Sequence, residues 1–127
     1  MAGRRRRTFT VRDPETVRAL RTPLRREILE ALIRVGRASV RDLASEVGRE
    51  PAALYYHVHG LTRAGLIRKS GTRRGGARTE NVYEPVATKI VLDRTVRSRP
   101  FVEALADLQR STLRAAEPPI PAKPVWT

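Results

Sequence analysis

The side chains best equipped for chemistry in this 127-residue chain are its arginines, a few tyrosines and two histidines. His57 and His59 stand two residues apart in Tyr55-Tyr56-His57-Val58-His59. On a helix that spacing points them roughly 200° apart, so they cannot chelate one ion. Cysteine is absent, which removes disulfides, thiolate metal sites and a thiol nucleophile together. No metal site and no cofactor are expected. Gly75-Gly76 is not followed by the Lys-Ser/Thr of a phosphate-binding loop. Asp42 and Glu46 share a helix face at i, i+4, where a solvated pair is the plainer reading than an acid–base pair. Nothing in these spacings points to an enzyme.

What remains is charge. Lysine and arginine total 26 against 13 acids, a net charge of +13. That sum predicts attraction to a polyanion. Only Lys69, Lys89 and Lys123 are lysine. Arginine suits bidentate contacts to phosphate and guanine, although a GC-rich coding sequence would favour it too. Placement says more than the total. Residues 1–12 carry five arginines and no acid. Residues 51–79 carry Arg63, Arg68, Lys69, Arg73, Arg74 and Arg78, again without an acid. Elsewhere the signs alternate as on a solvated surface. The two acid-free segments together predict one electropositive face.

The elements that must present this face can be read from caps and apolar periodicity. Residues 1–12, with the run Arg4, Arg5, Arg6, Arg7, are expected to be a disordered basic arm, either lying along a nucleic-acid groove or serving as a solubilising tail. Asp13-Pro14-Glu15 opens a helix, with Val17 and Leu20 on its apolar side. Thr22-Pro23 starts the next, whose stripe is Leu24, Ile28 and Leu32, and Gly36 ends it. Ser39 caps a short helix carrying Leu43, Ala44 and Val47, which stops at Gly48. Pro51 restarts the chain as a helix over 51–64, with Leu54, Val58 and Leu61 as its buried seam. Two short helices joined by a tight turn make a helix-turn-helix. A strand over 66–70, a flexible Gly-rich turn over 71–79 and a strand over 81–86 form a hairpin, with Pro85 favouring an edge position. The last helical region spans 88–117, with a break near Pro100. A Pro-rich tail, 118–127, follows. No stretch approaches the ~18 apolar residues of a membrane span, and the N-terminus lacks the apolar core of a secretory signal, so a cytoplasmic protein is expected.

The order of elements is that of a winged helix-turn-helix, a mainly α fold with a small β-hairpin wing and a C-terminal helix. Residues 13–87 resemble the ArsR-type (arsenical-resistance-repressor-like) regulators. The resemblance is carried by Pro23-Leu24-Arg25-Arg26-Glu27-Ile28-Leu29-Glu30-Ala31-Leu32, Leu43-Ala44-Ser45-Glu46-Val47-Gly48, Leu54-Tyr55-Tyr56-His57-Val58-His59-Gly60-Leu61 and Ala64-Gly65-Leu66-Ile67. Arg49 and Glu50 depart from it, standing where the family usually has an apolar residue and a Ser or Thr cap. The resemblance implies a sequence-specific double-stranded DNA-binding regulator, a homodimer on a palindromic site, and a repressor associated with the nucleoid. The helix over 51–64 would enter the major groove and present Ala52, Ala53, Tyr55, Tyr56, His57 and His59. Arg73, Arg74 and Arg78 of the wing would reach phosphates or the minor groove. The resemblance further implies that first and last helices pair across a two-fold axis, through Val17, Leu20, Phe101, Val102, Leu105, Leu108 and Thr112. The apolar stripe of the last helix could equally fold back on its own domain. Other readings of the same fold are an architectural DNA-binding or RNA-binding protein and a protein-interaction module. No effector can be read.

Overall fold

The computed structural model describes residues 6–116. Arg4 and Arg5 of the basic run, and residues 117–127, lie outside the described residues. The first described element is a strand, β1 (Arg6–Val11). The expectation of a disordered arm over 1–12 is therefore corrected for residues 6–11. The cause lies far along the chain. β1 pairs in parallel with a strand whose residues match it as Phe9 to Ile90 and Val11 to Leu92. These four side chains share one face of the two-stranded sheet and pack on the core.

Asp13 turns the chain from strand to helix. Its carboxylate accepts the Thr16 backbone N–H at 3.1 Å, and Pro14 sits in the first turn of α1 (Pro14–Ala19). α2 (Pro23–Val35) buries Ile28, Leu29, Ala31 and Leu32 as one stripe. Next come β2 (Ala38–Ser39) and α3 (Val40–Val47). A reciprocal capping box holds the start of α3: Ser39 Oγ accepts the Asp42 N–H and the Asp42 carboxylate accepts the Ser39 N–H, each at 3.1 Å. Gly48, at φ 69°, ends α3 in the left-handed region that a side chain would resist.

The helix expected over 51–64 is divided. Pro51–Ala53 is a 3-10 turn, and α4 (Tyr55–Arg63) begins only after Leu54. Glu50 gives no side-chain cap. The N–H groups of Ala53 and Leu54 instead bond back three residues, to Glu50 and Pro51, which winds this turn tightly.

The wing is longer and better ordered than a flexible turn over 71–79 would be. β3 (Ile67–Gly75) and β4 (Arg78–Pro85) pair antiparallel up to a two-residue connection, Gly76-Ala77. Gly76 has φ 72°, the positive value that a two-residue hairpin needs at its first central position. Ser70 is the extra residue of a bulge between Lys69 and Gly71; its hydroxyl donates to the Val82 carbonyl and accepts from Arg37. β4 is the central strand of the order β2-β4-β3, not an edge. Pro85 is tolerated there because β2 is two residues long and reaches only Val82 and Tyr83.

The expectation of helix from residue 88 is also corrected. β5 (Ala87–Leu92) is the partner of β1. Its Thr88, Ile90 and Val91 are β-branched, which favours strand. Asp93 closes the pair: its backbone N–H bonds to the Val11 carbonyl and its carboxylate to Arg12. α5 (Arg99–Ala116) then runs without a break. Pro100 lies in its first turn, where a missing N–H leaves no bond unmade.

α5 packs along α1 and touches α2. Phe101, Ala104 and Leu108 enter the same core as Val11, Val17, Leu20 and Ile28. This corrects the assignment of Val17, Leu20, Phe101 and Leu108 to a subunit interface, since their burial is completed within one chain. The register of apolar residues on a helix specifies a buried stripe but not whose surface buries it. Val102 remains 47% exposed, Thr112 is exposed and Leu105 half-buried.

Candidate nucleic-acid interface

α4 is held by its apolar seam. Leu54, Val58 and Leu61 are buried, and α4 packs against α2 and β3. Consecutive helical residues turn by about 100°, so the opposite side must face outward. Ala52, Ala53 and His59 are exposed, Tyr55 is 58% exposed and Tyr56 74%. Large aromatic side chains usually gain stability from burial, and these two forgo it.

His57 is half-buried and faces α2 rather than solvent. Its Nδ1 accepts a hydrogen bond from Arg25 Nε at 3.1 Å. Its pKa is lowered, first by burial and then by the Arg25 charge. The imidazole is thus neutral at neutral pH, with its acceptor nitrogen committed inside the fold. Folded His57 binds fewer protons than unfolded His57 below the ordinary value of 6.5. Stability should therefore be complete above that pH and should fall as pH drops through the folded pKa. Urea titrations across this window should show the loss in the native sequence, and His57→Gln should flatten that part of the profile.

Arg25 was not among the contact residues expected from sequence. Its guanidinium carbon lies 5.4 Å from the centroid of the Tyr56 ring, and the Tyr56 ring meets the His57 ring edge-on at a 5.4 Å centroid distance. The guanidinium also passes over Gly60. A Cβ there would stand 2.8 Å from the Arg25 terminal carbon. Arg25 and His57 stand 32 positions apart, which gave no local spacing from which this cluster could be read.

The wing does not offer its three arginines equally. Arg73 is tied back to Asp42 and Glu80 by ion pairs and to Ser39 by a 3.3 Å hydrogen bond. Burial tends to raise the Asp42 pKa, but the Ser39 and Arg73 hydrogen bonds together outweigh it and hold the carboxyl below its ordinary value. Arg68 likewise pairs with buried Glu84 at 2.8 Å. The absence of acids over residues 51–79 therefore does not leave every cation there free, because Asp42, Glu80 and Glu84 fold in from outside the segment. Arg74 and Arg78 are exposed, and among the described residues no acid lies within ion-pairing distance of either. Of the basic arm, Arg7 is exposed and its backbone belongs to β1.

Between the start of α4 and the wing lies an open hollow of about 550 Å³, lined by Ser39, Arg41, Tyr55, Arg78 and Asn81 among others. Polar side chains from β2, α3, α4 and β4 converge there, among them Glu80, which pairs with Arg41 at 3.8 Å. The outward stripe of α4 and the tip of the wing thus bound one continuous polar surface.

Residues 20–70 match the family model of a helix-turn-helix domain. The match runs from the end of α1 through β2, α3 and α4 into β3. No curated protein matches the chain. Among the described residues no helix is long and apolar enough to cross a membrane.

Proposed function

We propose that this helix-turn-helix chain is a sequence-specific regulator of transcription, of the ArsR type and a repressor, that binds double-stranded DNA as a homodimer on a palindromic site. The observation that carries this reading is the exposed side of α4 and of the turn before it, with Ala52, Tyr55, Tyr56 and His59 open to solvent beside Arg74 and Arg78. Small residues at 52 and 53 permit close approach to base edges and thymine methyls, and the tyrosine hydroxyls can donate to a phosphate or a base. The net charge of +13 supplies the sequence-independent part of the attraction. A location in the cytoplasm, on the nucleoid, follows from the same reading.

Dimer formation would use the outer side of α5. With Phe101 and Leu108 turned inward, Val102 and Thr112 face solvent, Leu105 lies half-buried at the border of the two sides, and Leu113 is 61% exposed. A second copy covering that outer side would set two recognition helices against half-sites about 34 Å apart.

Selection of duplexes from a random pool tests the reading directly. The expected result is an enriched two-fold-symmetric sequence with half-sites spaced by one helical turn. Tyr56→Phe should shift the enriched bases or weaken binding by about tenfold, with the melting midpoint unchanged because the hydroxyl is exposed. Equal affinity for all duplexes at fixed salt would replace the regulator by an architectural protein. Failure to retain any duplex at low ionic strength would remove DNA binding altogether.

A further inference from the structure

The two tyrosines of α4 look to different sides. Tyr55 lines the hollow toward the wing, while Tyr56, His59, Gly60 and Arg63 line a second one, of about 400 Å³, on the flank toward α1 and α2. That second hollow also takes Arg18 and Arg25, and the single acid at its wall, Glu15, is already paired with Arg18. Arg25 is posed over it by three contacts: the Tyr56 ring, His57 Nδ1 and the bare backbone of Gly60. Neutral His57 takes the Nε–H, so the two terminal nitrogens keep the planar donor fork that matches a phosphate.

We propose that this hollow is a phosphate site, in which Arg25 and Arg63, with His59 beside them, grip the sugar-phosphate strand on the side of α4 away from the wing. The proposal rests on α4 lying in a major groove, as inferred above. A helix in a groove about 12 Å wide has one backbone strand on each flank. The wing side supplies Arg78, with Arg41 held to Glu80 at 3.8 Å; on the α1–α2 side Arg18 is paired with Glu15, which leaves Arg25 and Arg63 to meet the strand. Gly60 is explained by the same geometry. Glycine weakens a helix interior, and here it leaves the space through which the guanidinium reaches the groove.

The test compares the native chain with Arg25→Ala and Gly60→Ala in binding to one fixed duplex across a salt series. Gly60→Ala retains every charge and improves helix propensity, but its methyl group displaces the guanidinium. Both variants should weaken binding about tenfold, to cognate and random duplexes alike, and Arg25→Ala should lower the slope of log K against log salt by about one. A neutral methylphosphonate placed along the strand should locate one linkage whose substitution weakens the native chain and leaves Arg25→Ala indifferent. Native binding with an unchanged slope in Arg25→Ala and no such linkage would overturn the phosphate site while leaving the DNA-binding reading intact. Absence of duplex binding by the native chain would overturn both. Inorganic phosphate alone is the remaining arm. Thermal stabilisation by it that Arg25→Ala abolishes, with the salt slope on DNA unaltered, would mean a free-anion site and overturn the assignment to the backbone.

Discussion

Phe101→Ala is expected to destabilise the folded chain by about 3–5 kcal/mol, the range for removing a large aromatic from a packed core. Phe101 is fully buried and anchors α5 in the core it shares with α1 and α2. Domains of this size have total stabilities of about 5–15 kcal/mol, so one truncation should remove a large fraction. Chemical denaturation would measure it, and the dependence on protein concentration is the decisive part. Burial inside one chain makes the loss the same at micromolar and at tenfold higher concentration. Burial across a subunit boundary would make it concentration-dependent through mass action. Val102→Ala, one residue along but on the exposed side, should change monomer stability by no more than about 0.5 kcal/mol.

That contrast marks where sequence reading ended. The caps at Asp13 and Ser39 and the α4 seam were legible because each is settled between near neighbours. Asp13 meets Thr16, Ser39 meets Asp42, and Leu54, Val58 and Leu61 lie within two helical turns. The parallel pair β1–β5 was not legible. Its strands are six residues each and some eighty residues apart, and a run of arginines masked the Thr8-Phe9-Thr10-Val11 alternation. The fate of the α5 stripe was ambiguous for another reason. Periodicity shows that Phe101, Leu105 and Leu108 share a side, but α1 and a second copy satisfy that side equally well. At the candidate site, the exposed residues of α4 follow from its phase, whereas Arg25 and the restraint on Arg73 depend on contacts thirty or more residues apart.

Replacing Arg74 and Arg78 together by Ala should weaken binding to every duplex by about 10–100-fold and lower the salt slope by roughly two. Both are exposed at the end of the wing and no acid among the described residues neutralises them. Their charge is therefore available to phosphates, and losing it should act on all sequences alike. Arg73→Ala should behave differently, although it stands beside them. Its guanidinium is engaged by Asp42 and Glu80, so it has little charge to offer and the slope should scarcely move. Exposed ion pairs contribute less than about 1 kcal/mol, so folding should survive. What Arg73→Ala should do is free the wing from the start of α3, reducing affinity through looser positioning while the counterion count stays the same. Fluorescence anisotropy on one duplex at several salt concentrations separates the two behaviours. Equal slopes for the native chain and the Arg74/Arg78 variant would place the wing outside the contact with DNA. A full unit lost in Arg73→Ala would show that its ion pairs open on binding and that the acids, not the arginine, are the spectators.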